Sequence, residues 1–256
     1  MALICIEPID GLSLGQAEEL RRKLNVPLCS KATVSAEGVK LLVGQSQLSL
    51  AFVDKKRGKP YAVDFLSPVW RARWQQGLAR NHIFRRALGG CDDAIHIIDA
   101  TAGFGQDAAM MASLGCRVTA IERSPAVAAV LRNGIERAKQ EDETLRAKLG
   151  LIDVQETDST EYLTGLKYEN RPDVVYIDPM FDKPKKSAKS PKEMQLLQEL
   201  LPPPSLGENE RLLEVAMAVA KGRVVVKQPL KAKALRANPT HIFKGQSIRY
   251  DVYVVR

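Results

Sequence analysis

Apolar positions along the chain follow two textures, and the change between them falls near residue 92. In the first stretch, short apolar runs such as Val39–Val43 and 48–53 stand between glycines (Gly38, Gly44, Gly58), the punctuation of hairpin-rich structure. Residues 13–24 place Leu14, Ala17, Leu20 and Leu24 at helical spacing, and a second helical stretch carrying five arginines runs from Phe65 to Gly89-Gly90. After that, apolar segments rich in β-branched residues predict strands at 95–99, Arg117–Ile121, 149–154, Val174–Ile177 and 223–227. Helical patterns fall between most of them, at 106–114, Pro125–Glu141, Lys192–Leu200 and 208–220. Near-continuous apolar strands separated by helices predict a parallel sheet covered on both faces. The last two segments, 240–243 and 250–255, have no helix between them and predict an antiparallel hairpin at the sheet edge. The division expected is a small α+β domain over 1–92 and a larger α/β domain over 93–256, within the usual size range of domains.

Composition narrows the setting. The formal net charge of +8 suggests a polyanionic partner without requiring one. No apolar run approaches the roughly 18 residues of a membrane span. The opening MALICIEPID carries acids where an export signal carries Lys or Arg, so a cytoplasmic protein is expected. Cys5, Cys29, Cys91 and Cys116 are scattered with no C-x-x-C pair, which predicts buried thiols in a reducing compartment and no zinc site. His82, His96 and His241 have no partner at useful spacing, and no metal is expected.

The stretch from Ile97 through Asp99-Ala100-Thr101-Ala102-Gly103-Phe104-Gly105-Gln106-Asp107 reads as a strand, a glycine turn and a helix start. Gly103 and Gly105 allow a tight turn close to a ligand, and the helix start offers unpaired amides. Glu122 follows at the end of the next strand, where an acid can grip ribose hydroxyls. The same G-x-G-x-x-A spacing fits a nicotinamide or flavin dinucleotide, so an oxidoreductase stays open here. Asp99 tilts the reading, because a carboxylate there repels a pyrophosphate but suits the ammonium and sulfonium of S-adenosylmethionine. Asp158 and Ser159, after the third strand, offer hydrogen bonds to an adenine amino group or, equally, a helix N-cap.

Asp173 to Phe181 carries the most chemistry: a buried strand ending in Asp178-Pro179-Met180-Phe181 at the edge where open α/β sheets bind ligands. The exocyclic amine of a nucleobase is a poor nucleophile because its lone pair is delocalised into the ring. A carboxylate (Asp178) accepting one N–H and a main-chain carbonyl (Pro179) accepting the other would drive the nitrogen toward a tetrahedral shape. Phe181 could stack on the base.

At these residues the chain resembles the RsmJ family, which methylates guanine N2 in the small-subunit ribosomal RNA of bacteria. Asp99-Ala100-Thr101-Ala102-Gly103 with Gly105 and Asp107, Ile121-Glu122-Arg123, Asp178 to Phe181, Lys186-Ser187-Ala188 and Lys192-Glu193-Met194 carry the likeness. It covers the second domain and, more weakly, the first. The resemblance implies a Rossmann-like class I methyltransferase sheet, S-adenosylmethionine as cofactor and 16S ribosomal RNA or the small ribosomal subunit as partner. It places cofactor contacts on Gln106, Asp107, Glu122, Arg123, Asp158, Ser159 and Asp178. Gln106 stands where members usually have arginine, Asp182 where they tend to have proline, and the glycine-rich stretch expected at 77–80 is thin.

For holding RNA the candidates are Lys183, Lys185 and Lys186, directly after the Asp-Pro turn, together with Arg73 and Arg80. Trp70 and Trp74 share a helix face, with a core role favoured over base stacking. A non-catalytic RNA-binding factor with the same fold is the remaining alternative.

Overall fold

The computed structural model describes residues 3–30, 38–91, 95–179, 191–201 and 204–255. Its first unit is a three-stranded sheet, β1 (Leu3–Pro8), β2 (Val39–Val43) and β3 (Leu48–Phe52), with α1 (Leu14–Leu24) on the crossover from β1 to β2. β1 pairs parallel to β2, and β2 antiparallel to β3. β3 is buried along its whole length because it also faces α5 (Pro125–Glu141), where Gly134 lets Val63 pack against the helix axis.

The large sheet has seven strands: β4 (His96–Asp99), β5 (Arg117–Ile121), β6 (Ile152–Gln155), β7 (Val174–Ile177), β8 (Arg223–Pro229), β9 (His241–Lys244) and β10 (Ile248–Val254). Their spatial order is β6-β5-β4-β7-β8-β10-β9. The first five run parallel, while β10 is antiparallel to both β8 and β9. The terminal hairpin is therefore present, with its second strand inserted between β8 and the edge.

Both faces are covered, as the sequence pattern requires. One face carries α2 (Pro68–Gln76), α3 (Ile83–Leu88), α4 (Gln106–Ser113), α5 and α6 (Glu143–Leu149), in a core shared with the small sheet. The other carries α7 (Ser159–Thr164) and α9 (Glu208–Val219); α8 (Lys192–Leu200) lies toward β2 and β3. α2 and α3 precede residue 92 yet pack within the core of the large sheet, α3 against β9 and β10.

Two local features differ from the sequence pattern. Leu149 closes α6 rather than opening a strand, because Leu145 and Leu149 are both buried on one helix face and Asp142 caps the helix through Leu145 N–H at 3.1 Å. Trp70 and Trp74 are core residues, the role favoured from the sequence, their rings 5.2 Å apart and both against Phe65.

The second difference concerns the thiols: Cys5 and Cys29, expected as separate thiols, are joined by a disulfide. Residues 27–29 run beside β1, with Ile6 N–H donating to Pro27 C=O at 2.9 Å and Cys29 N–H to Ile6 C=O at 2.7 Å. This brings together two cysteines 24 residues apart, a proximity that local spacing does not encode. Cys91 and Cys116 are buried thiols, as expected. Among the described residues, no helix is long and apolar enough to cross a membrane.

Candidate active site

Strand order reverses between β4 and β7, and the loops leaving these neighbours open a crevice at the carboxyl edge of the sheet. A cavity of about 530 Å³ occupies it, a volume suited to a nucleoside-sized ligand.

The floor begins with Asp99 at the end of β4, 1% exposed, accepting a hydrogen bond from Thr101 N–H at 3.1 Å. Burial, reinforced by the neighbouring Asp107, holds its carboxyl well above the usual range. Thr101 Oγ1 accepts from Asp178 N–H at 2.7 Å, which ties the β4 loop to the end of β7. Gly105 has φ +73°, and a β-carbon there would lie 2.4 Å from Leu131, so the turn into α4 closes only around glycine.

Glu122, at the end of β5, has both oxygens occupied by backbone. Gly103 N–H donates to Oε2 at 3.0 Å and Ser124 N–H to Oε1 at 2.7 Å. Burial pushes its carboxyl up to about 7, although these two bonds and Arg123 pull the other way. Arg123 pairs with Glu208 at the start of α9, Nη1 to Oε1 at 2.7 Å. Asp158 caps α7 through Thr160 N–H (2.9 Å) and Glu161 N–H (3.1 Å) while lining the cavity, so the cap and the ligand readings coexist. Ser159 Oγ donates to Ala100 C=O. Gln106 hydrogen-bonds Tyr61, whose ring lies 4.6 Å from Phe104 and whose hydroxyl burial drives up to about 12. An amide paired with tyrosine thus stands where the resemblance expects a cation.

At the other end of the crevice, Lys227 near the end of β8 bridges two carboxylates. Its Nζ lies 2.9 Å from Asp178 Oδ2 and 2.8 Å from Asp107 Oδ2. Asp107 also accepts from Tyr176 OH at 2.8 Å. Burial works against the Lys227 charge, but the two acids outweigh it and raise its pKa. Asp178 is raised to about 6, chiefly by desolvation, with Asp107 adding and Lys227 opposing.

Nine of the ten cofactor candidates (Asp99, Gly103, Gln106, Asp107, Glu122, Arg123, Asp158, Ser159, Asp178) line this one cavity, with Pro179 beside them. Gly105 shapes the turn behind it. Phe181, Lys183, Lys185 and Lys186 lie outside the described residues. Arg73 stands apart from the crevice: α2 packs beside the end of α5 and α6, where Arg71 Nη1 reaches Asp142 Oδ2 at 4.0 Å and Lys148 Nζ donates to Trp74 C=O at 3.2 Å. The end of α5 and the start of β6 lie at the amino edge, so Arg73 is carried away from the crevice, its guanidinium over Trp70. Arg80 is exposed, two residues before the His82 cap of α3.

Lys227, Tyr176 and Tyr61 are site residues that the motifs did not single out. The signal available for Lys227 was a lysine following Val224-Val225-Val226 just before the carboxyl edge of a buried strand.

A buried carboxylate after the first strand, an acid after the second and Asp-Pro after the fourth define the crevice of a class I methyltransferase. Residues 23–255 match the family model described as SAM-dependent methyltransferase. Relatives from several bacteria carry the name Ribosomal RNA small subunit methyltransferase J. That of Chromobacterium violaceum is 39% identical over 99% of this chain and 96% of its own length, and that of Thioalkalivibrio sulfidiphilus is 37% identical over 93% and 92%. The crystal structure of a SAM-dependent methyltransferase from Neisseria gonorrhoeae superposes with TM-score 0.74 at 30% identity, covering 97% of this chain and 95% of that one. The chain belongs to the ribosomal RNA small subunit methyltransferase J family of SAM-dependent methyltransferases. The oxidoreductase reading of the glycine loop falls with that assignment.

Proposed function

We propose that the enzyme places its methyl group on the exocyclic N2 amine of a guanosine in 16S ribosomal RNA, in the cytoplasm. The observation carrying this reading is Asp178, a carboxylate at the carboxyl end of β7 with one oxygen held by Lys227 and its backbone tied to the glycine loop.

The cavity fits the cofactor. Asp99 is a buried carboxyl behind a glycine turn, where a ligand ammonium would favour its ionised form. Glu122 and Asp158 stand on successive strand ends, in reach of ribose hydroxyls and the adenine amino group, with Ile121 and Leu212 as apolar walls. When bound, S-adenosylmethionine supplies an electrophilic methyl group on a sulfonium.

The protein's task is then to make an amine nucleophilic. With Oδ2 engaged by Lys227, Asp178 offers Oδ1 to one amine N–H, and Pro179 C=O offers an acceptor for the other. Ionised Asp178 is the working form, and a carboxyl near 6 is ionised at neutral pH. The proton released from the methylated nitrogen goes to that carboxylate or through it to water. Phe181 is the proposed stacking partner and Lys183, Lys185 and Lys186 the proposed phosphate contacts, with Arg80 at the side. The target base has to be unstacked to enter a cavity of this depth.

The test is to incubate the enzyme with small ribosomal subunits and methyl-labelled cofactor, then digest the RNA to nucleosides. Label in N2-methylguanosine supports the reading, and label in any other nucleoside overturns it.

A further inference from the structure

The net positive charge of this chain is concentrated in two runs. Residues 65–91 contain five arginines and residues 215–250 eight lysines and arginines, with no Asp or Glu in either. Together they hold 13 of the 38 cationic residues and none of the 30 acids, so the remaining sequence carries 25 cations against 30 acids and is net negative. Two stretches far apart in sequence thus account for the whole excess.

They meet in the fold. α3 from the first run packs against β9 and β10 from the second. Between α3 and the edge strand lies an open groove of about 660 Å³, lined by Arg86, Arg223, His241, Phe243 and Lys244, with no carboxylate lining it among the described residues. Arg223 is partly engaged with the Ala87 carbonyl at 3.4 Å. Arg86 and Lys244 are exposed and form no ion pair among the described residues. The Arg86 guanidinium lies 4.8 Å from the centre of the half-buried Phe243 ring, with the His241 ring, two residues earlier on the same strand, 6.3 Å from it. Cations left without acids beside flat side chains are what a nucleic-acid backbone and its bases require. The groove also adjoins the active site: Ile83, at the start of α3, packs against Gly245 and the Ile248 side of the hairpin turn, and Ile248 lines the catalytic cavity.

We propose that the α3–β9 groove is an RNA-docking surface, in which Arg86 and Lys244 hold phosphates of the strand that leads its target base into the crevice. The proposal rests on the ribosomal RNA reading above. It assigns substrate contacts to a face distinct from the Asp-Pro loop, and the bond it makes with RNA is electrostatic and independent of base sequence.

The experiment compares the wild-type enzyme with Lys244→Gln and with Arg86→Gln/Lys244→Gln. Methyl transfer to small ribosomal subunits is measured over a range of salt, alongside calorimetric binding of S-adenosylhomocysteine. The double variant is expected to raise KM for the subunits while leaving kcat at saturation and cofactor affinity unchanged. The slope of log affinity against log salt should fall by about one for each lost phosphate contact. Arg86 supports Phe243, so the double variant's thermal midpoint is recorded. Lys244→Gln, at an exposed position, keeps the test decisive should the double variant misfold. KM and salt slope unchanged in Lys244→Gln and in a folded double variant overturn the groove while leaving the ribosomal RNA reading intact. Equal loss of affinity for anionic phosphatidylglycerol vesicles, with none for RNA, also overturns it. A wild-type enzyme that labels no RNA at all overturns both, and is told apart by the wild-type control.

Discussion

The crevice and the α3–β9 groove lie side by side on one sheet and have opposite electrical character. Asp99, Asp107, Glu122, Asp158 and Asp178 converge on the crevice, and its cations Lys227 and Arg123 are each consumed by carboxylates. The groove, among the described residues, offers cations and no acid. Carboxylates withdrawn from water, wholly at Asp99 and Glu122 and partly at the other three, are costly unless bonded, and every one of the five accepts from a backbone N–H or a lysine, which fixes its direction. Exposed cations cost little to leave unpaired and remain available to a polyanion. The contrast separates two tasks: directional anions to bind a cationic cofactor and polarise an amine, and diffuse positive charge to hold RNA.

The sharpest way to break this division is Asp178→Ala. Transfer should fall by roughly 10²- to 10³-fold or more, as when a preorganised polar group is removed. Affinity for S-adenosylhomocysteine should stay within about tenfold, or 1.4 kcal/mol. Wild-type turnover in a single-turnover assay would remove Asp178 from the chemistry.

Lys227→Met should act through the same carboxylate with a smaller effect. Burial already lifts Asp178 to about 6, and Lys227 is the group pulling it down. Activity therefore declines as pH falls through about 6 in the wild type, and in the variant that acid limb should move up by about 1–2 pH units. The loss should be several-fold near neutrality and recover at alkaline pH, with Lys227→Arg keeping the original limb. A uniform loss at all pH values would mean a merely structural lysine.

Glu122→Ala should weaken S-adenosylhomocysteine binding by roughly tenfold, since a charged acceptor is lost. In the wild type the carboxyl of Glu122 stands near 7, so calorimetric affinity should decline as pH falls below that value. A dissociation constant unmoved by the substitution would contradict its ribose role. The smallest effect is expected for Arg73→Gln at the opposite edge. Its KM for ribosomal subunits should change by no more than about twofold, the range of an ordinary surface substitution. A loss as large as that of the groove variant would return α2 to the RNA surface.

Much of this was legible along the chain because local pattern sufficed. The bounds of α5 and α8 follow from apolar spacing and flanking prolines, and β4, β5 and β7 from continuous apolar runs. The glycine turn and the Asp-Pro turn are contiguous motifs, so their residues could be assigned before their meeting place was known. What escaped were partnerships across the fold. Lys227 looks like the polar end of a strand until β8 lies beside β7. Tyr61 belongs to the site only because its segment folds back over Phe104. Cys5 and Cys29 are paired by a strand and a returning loop, and Arg73 is turned from the crevice by the packing of α2 on α5 and α6. Likewise, α3 and β9 each read as ordinary basic segments, and the acid-free wall exists only where they touch.

A structure of the enzyme with S-adenosylhomocysteine and an RNA fragment containing the target guanosine would test the central claim most directly. The account predicts the guanine amine within hydrogen-bonding distance, about 3 Å, of an Asp178 oxygen, with the flanking strand running past Arg86 and Lys244. A base seated in the crevice with its amine turned away from Asp178 would contradict it.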